Sequence, residues 1–233
     1  FALAQAREGP SKSSGQSRLP VAALLPAGRE ALQALPVKLE AGFLAFKWKV
    51  GVGALDDELG IFDDLLAALP AYATLRLDAN GAWDRRQAEK WLTRCADRPV
   101  EFVEQPVKPG DVTALLGLAA DYPVTLALDE SVTGLAAAQR WQGLGWPGVF
   151  VIKPVLAGPL DEIAAWVATT KADIVLSSAI ETPRCVNAPM TIPSAICGVY
   201  ERLGVNPTPV AVDVAASGVA GSIWRAILRP AFS

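Results

Sequence analysis

Five ionisable side chains stand at the ends of five short apolar runs: Lys49 in FKWKV, Asp78 in LRLDAN, Glu104 in EFVEQP, Asp129 in TLALDE and Lys153 in FVIKP. Asp78, Glu104 and Asp129 are hard oxygen donors. Brought to one point they would repel each other unless a cation sat between them, and Mg²⁺ suits such a donor set. Lys49 and Lys153 flank the acids on the runs before and after, and Lys47, on the same face as Lys49, adds a further positive charge. A metal with a lysine base is the equipment for removing a proton next to a carboxylate, with Mg²⁺ holding the resulting enediolate. The same geometry also permits a blander reading, in which the lysines only neutralise the acids.

The five residues recur every 24 to 29 positions. That interval is too long for a hairpin and fits one strand plus one crossover helix. Between the runs, Leu55, Leu59, Phe62, Leu65, Leu66 and Leu69 form a helical stripe opposite Asp56, Asp57, Asp63 and Asp64. Asp84 is placed to cap the next helix, with Gln87 three residues on and Ala88, Trp91, Leu92 and Cys95 facing inward. Segments 111 to 120, 133 to 141 and 159 to 170 read as further helices. Residues 20 to 26 and 173 to 178 supply a first and a seventh strand, and 28 to 35 a short first helix. Within the runs, alternation puts Trp48, Leu75, Leu77, Leu126, Leu128, Phe150 and Ile152 on one face and Lys47, Lys49, Arg76, Asp78, Asp129 and Lys153 on the other. The pattern predicts an α/β fold, a TIM-like (β/α)7β barrel, with the charged residues gathered at the strands' C-terminal mouth, where barrel enzymes carry their chemistry.

Three segments follow. Residues 1–18 read as the end of a helix begun elsewhere followed by a polar linker, 19–182 as the barrel, and 183–233 as a tail in which prolines interrupt the helical spacing. In that tail, 194 to 203 is expected as a helix and 210 to 214 as a last strand, which leaves completion of the barrel at its C-terminal end open. The net charge of −3 and the absence of a basic cluster argue against a nucleic-acid partner. No apolar run reaches the roughly 20 residues of a membrane span. A small-molecule carboxylate is the expected partner; oligomeric state is not legible. The three cysteines are odd in number and widely spaced, which suits free thiols and a cytoplasmic setting. Histidine is absent, which removes Ser-His and Cys-His catalysis and His-built zinc sites.

Taken in order, KWK, LDANGAW, VEQP, LDES and VIKP resemble the enolase superfamily, muconate-lactonising subgroup, and within it the o-succinylbenzoate synthase branch of cyanobacterial type. The likeness covers about residues 19 to 182. It implies Mg²⁺ on Asp78, Glu104 and Asp129, a use of lysine and magnesium general to enolase-superfamily sites. It implies that Lys49 takes the α-proton and, as its conjugate acid, helps a hydroxyl leave, while Lys153 faces it across the substrate ring. The implied reaction is dehydration of 2-succinyl-6-hydroxy-2,4-cyclohexadiene-1-carboxylate to o-succinylbenzoate, in menaquinone or phylloquinone formation. Lys47, Arg76, Asn80 and Ser177 or Ser178 are candidates for orienting the substrate. Two alternatives stay open: an N-acylamino acid racemase or dipeptide epimerase of the same superfamily, and a truncated, non-catalytic barrel. The resemblance also implies an N-terminal α+β capping domain, of which residues 1 to 9 match only a last helix. The tail after Thr182 departs from the family pattern and reads as divergent or frame-shifted.

Overall fold

The computed structural model describes residues 22–170 and 173–177, together with the backbone of 183–185, 191–193 and 225–228. Seven parallel strands and the helices between them alternate along the chain. They are β1 (Ala22–Leu25), α1 (Glu30–Glu40), β2 (Ala45–Lys49), α2 (Leu55–Ala68), β3 (Thr74–Asp78), α3 (Arg85–Cys95), β4 (Val100–Glu104) and α4 (Val112–Asp121), followed by β5 (Leu126–Leu128), α5 (Leu135–Gly143), β6 (Val149–Ile152), the single turn α6 (Pro154–Ala157), α7 (Leu160–Thr169) and β7 (Ile174–Ser177). The strands lie in sequence order, as successive right-handed βαβ crossovers in one direction require. The sheet curls into the barrel-like arc expected of the (β/α) repeat.

Alternation along the strands produces two cores. Outward residues such as Phe46, Trp48, Leu75, Leu77, Leu128, Phe150 and Ile152 join the inner stripes of the helices in one large cluster. On the concave face, Phe102, Ala127, Val149, Val151 and Val175 form a smaller one. The charged residues of β2 to β4 share that concave face, so an apolar plug lies beside them. The face is not wholly polar.

Local chemistry explains the helix starts. Asp84 accepts from the Gln87 amide while the Gln87 side chain accepts from the Asp84 amide, a reciprocal capping box. Asp111 caps α4 through the Ala114 amide. Helix α1 runs beyond the expected end at residue 35 and carries Pro36 inside it. The missing hydrogen bond is tolerated because Leu32, Leu35 and Leu39 continue one packed stripe across the proline. Cys95, at the end of α3, is buried, and burial pushes its thiol up to about 12.

The eighth place in the sheet is taken by β10 (Arg225–Leu228), antiparallel to β7. Strands β8 (Pro183–Cys185) and β9 (Thr191–Pro193) form a separate antiparallel pair. Among the described residues β1 pairs only with β2 and β10 only with β7, so the arc is not closed by strand pairing there. The helix expected at 194 to 203 and the strand expected at 210 to 214 lie outside the described residues, as do residues 1–18 and Ser178.

Candidate active site

Parallel registration places the predicted residues side by side. Lys49 pairs with Asp78 and Asp78 with Glu104, so three successive strands end in functional side chains at one level. Glu104 in turn pairs with Ala127, which puts Asp129 one step beyond the end of β5 on the same face. Lys153 follows β6 directly, at the start of α6. The mouth therefore receives Lys49, Asp78, Glu104, Asp129 and Lys153 from five neighbouring strands.

Their partners divide the acids into two groups. The Lys47 ammonium lies between Asp78 and Glu104, ion-paired to Asp78 and 3.2 Å from Glu104 Oε2. All three side chains are buried. Lys153 Nζ donates to Asp129 Oδ1 at 2.5 Å. Among the described residues no three acidic, histidine or cysteine side chains converge tightly enough to hold one ion in this arrangement. The acids close on ammonium groups. Even so, the donor set fits a hard divalent cation in its chemistry: every candidate ligand is a carboxylate, and carboxylate oxygens are the donors such an ion takes. Coordination by all three would require Lys47 and Lys153 to give way.

Lys49 differs from Lys47 by exposure. It is the exposed member of β2 and its ammonium donates to Asn80 Oδ1. The amide of Asn80 is used at both ends, because its Nδ2 donates to Glu130 Oε1 at 2.7 Å. That second bond fixes which end of the amide meets the lysine. Asn80 adopts φ +47°, in the left-handed region, directly after the strand that carries Asp78. Asn is among the side chains that tolerate this conformation.

Arg76 lies deeper. It is almost fully buried, donates to Glu101 at 2.7 Å and stacks over Phe102 at 5.1 Å. Its position is the floor of the concave face, below the level of Lys49 and Asp78. Ser177 is fully buried at the end of β7.

Two residues near the mouth carry signals that the strand pattern does not single out. Glu58 is buried and accepts from the amides of Gly51, Val52 and Gly53 at 2.8–2.9 Å. It thereby holds the loop that leaves Lys49. Gly51 is required there, with φ +77° and a would-be Cβ 2.9 Å from Ala82 Cβ. Gln105, next to Glu104, is completely buried and fully hydrogen-bonded. A long polar side chain set between a strand-end carboxylate and Pro106 was its available signal.

Three carboxylates closed on by lysines, set at the C-terminal mouth of a parallel β/α arc, define a class. The chain belongs to the enolase C-terminal domain-like family, whose pattern matches residues 29–201. It is 45% identical over 167 residues to the o-succinylbenzoate synthase of Thermosynechococcus vestitus, a match spanning 70% of this chain and 52% of that one. A chloromuconate cycloisomerase of Pseudomonas putida is 39% identical over 93 residues, 40% of this chain and 25% of its own length. Among solved structures, o-succinylbenzoate synthase from Thermosynechococcus elongatus BP-1, complexed with Mg in the active site, matches with a TM-score of 0.71 at 37% identity, covering 87% of this chain and 66% of that one. The chain spans about half the length of the synthase relative. Family and fold thus agree with the expectation from the five motifs.

Proposed function

We propose that this chain carries the metal and lysine machinery of an o-succinylbenzoate synthase, a carbon–oxygen lyase acting on 2-succinyl-6-hydroxy-2,4-cyclohexadiene-1-carboxylate. The observation that carries the reading is the convergence of Lys49, Asp78, Glu104, Asp129 and Lys153 from five adjacent strand ends. Asp78, Glu104 and Asp129 would hold Mg²⁺, which supplies electrostatic stabilisation for the charge that develops on the substrate carboxylate. Lys49, exposed at the mouth, takes the α-proton. Asn80 holds its amine toward the mouth through Oδ1. The electron pair released from carbon moves into the ring as the hydroxyl departs, and the proton on Lys49 goes to that leaving oxygen. Water is lost, the ring becomes aromatic and the lysine returns to its starting state. Lys153, part-exposed and paired with Asp129 in this arrangement, would leave that carboxylate to the cation and present its positive charge to the substrate from the opposite side.

A lysine on each side of the mouth also equips the site to exchange an α-proton on either face of a carbon, so epimerisation is the second reading. A cytoplasmic setting belongs to the first reading, with Cys95 a buried free thiol. Among the described residues no helix is long and apolar enough to cross a membrane. The test is purified protein with Mg²⁺, assayed by the ultraviolet absorbance of the aromatic product and, in parallel, by α-proton exchange of dipeptides and N-acylamino acids in D₂O. Formation of o-succinylbenzoate that needs Mg²⁺ and is lost in Lys49→Ala and Lys153→Ala supports the synthase. Exchange of amino-acid substrates alone replaces it with the epimerase, and no reaction in either assay points to a non-catalytic barrel.

A further inference from the structure

We infer that Gln105 is the positioning residue of the metal-binding strand ends, acting through the backbone of Asp129. The inference rests on the metal-binding reading above and adds a residue to which no role in that reading is given. Gln105 follows Glu104 and is completely buried. Its backbone is in the left-handed region at φ +40°, a conformation unusual for a residue with a long side chain. Something must hold it there, and the side chain shows what does.

Every hydrogen-bonding position of that amide needed for the knot is used. Oε1 accepts from the Asp129 amide at 3.2 Å and from the Ser131 amide at 3.1 Å. Nε2 donates to the Val107 carbonyl and to Ser131 Oγ, both at 2.9 Å. The main chain of the same residue extends the network to the neighbouring strands: its N–H donates to Ala127 O at 2.8 Å and its carbonyl accepts from Gly81 at 2.6 Å. One residue thus ties the turn after Asp78, the end of β4 at Glu104 and the turn containing Asp129. These are the three places from which the carboxylates project.

The chemistry explains why glutamine is suited to the task. Two acceptor contacts and two donor contacts lie on opposite ends of one planar group, so only a primary amide satisfies all four. Glutamate would keep the contacts to Asp129 and Ser131 amides but would set an oxygen against the Val107 carbonyl. Leucine would fill the space and leave the two amides and the carbonyl without that partner, in a buried site where such groups are costly to strand. The turn at Asp129 would then be free to move its carboxylate relative to Glu104. Residues that orient metal ligands from behind commonly change metal affinity by about 10- to 100-fold when removed.

The experiment measures Mn²⁺ binding by electron paramagnetic resonance and backbone amide exchange by NMR. It compares the parent chain with Gln105→Leu, Gln105→Glu and a control, Leu65→Ala, a buried position on α2 that lowers stability away from the knot. The expected result is Mn²⁺ affinity at least about 10-fold weaker in Gln105→Leu, faster exchange of the Asp129 and Ser131 amides, and unchanged affinity in Leu65→Ala. Should Gln105→Leu not fold, Gln105→Glu is decisive: repulsion at the Val107 carbonyl loosens the knot, so Mn²⁺ affinity falls several-fold together with faster exchange of the Asp129 and Ser131 amides. If the parent binds Mn²⁺ and the Gln105 variants that fold match it, or if Leu65→Ala is weakened equally, the inference is overturned while the metal reading stands. If the parent does not bind Mn²⁺, the metal reading falls and this inference with it.

Discussion

Replacing Lys47 by methionine separates the two roles that a cation can have at this mouth. Methionine keeps most of the aliphatic stem and removes the ammonium that lies between Asp78 and Glu104. Breaking a buried ion pair on one side generally costs about 3–5 kcal/mol, because the remaining charge is left without its partner. Here the lower end applies, since Asp78 also accepts from the Asn80 amide and both acids have further interactions. A loss of about 3 kcal/mol corresponds to a fall of roughly 6–12 °C in melting temperature for a chain of this size. The fall should be measured by circular dichroism in a chelator. Titrating Mg²⁺ then supplies the discriminating step. A dication that binds the folded site stabilises by mass action, and in Lys47→Met it need not compete with an ammonium for the same two carboxylates. The variant should therefore gain more from Mg²⁺ than the parent does, narrowing the gap. If the variant melts with the parent in chelator, the buried ion pair has been overvalued. If Mg²⁺ raises the parent more than the variant, Lys47 helps the cation bind, and the competition argued here is wrong.

Glu58→Ala strands the amides of Gly51, Val52 and Gly53; a loss of roughly 2–4 kcal/mol in urea unfolding is expected, with faster amide exchange confined to that loop. Cys95 gives a pH dependence whose sign is fixed by its pKa, raised from 9.0 to about 12 by burial. The folded protein retains a proton that the unfolded chain releases first, so this contribution is complete below pH 9 and declines as pH rises toward 12. Urea midpoints between pH 8 and 11 should fall less steeply in Cys95→Ala, and the native thiol should resist thiol reagents throughout pH 7 to 9. Asp84→Ala removes the acceptor half of the capping box at α3 and should cost about 1 kcal/mol, read from the same unfolding curves.

Much of this architecture is visible in the residue pattern because it follows from two periodicities. The interval between charged strand ends specifies a strand and a crossover, and alternation within β3 puts Arg76 and Asp78 on the face opposite Leu75 and Leu77. The choice of partner among charged groups follows a different rule. Lys47 and Lys49 share a face of β2, yet one is buried between two acids and the other is exposed against Asn80. Depth along the strand decides this, and depth depends on how far each neighbouring strand extends. Arg76 shares that face one step below the mouth, where its Nε pairs with Glu101, its guanidinium lies over Phe102 and its buried Nη1 has no hydrogen-bond partner among the described residues. Glu58 escaped because an acid next to Asp56 and Asp57 resembles more solvent-facing charge. Its position one turn before Phe62 instead turns it inward, toward three amides of the preceding loop.

The order of strands also says which parts of the site are mechanically independent of barrel closure. Asp78, Glu104 and Asp129 project from β3, β4 and the end of β5, in the middle of the eight-stranded sheet. Each of these strands is paired on both sides, and the turns beyond them are tied by Asn80, Gln105 and Ser131. Lys49 stands on β2, whose outer neighbour β1 has no further strand partner among the described residues. The loop after Lys49 is instead restrained by Glu58, which accepts from three of its amides, and leaves no room for a side chain at Gly51 beside Ala82. The carboxylates are therefore held by the sheet itself, and the proposed base by a clamp between its own loop and helix α2. A perturbation at the arc's edge should reach the lysine chemistry before it reaches cation binding.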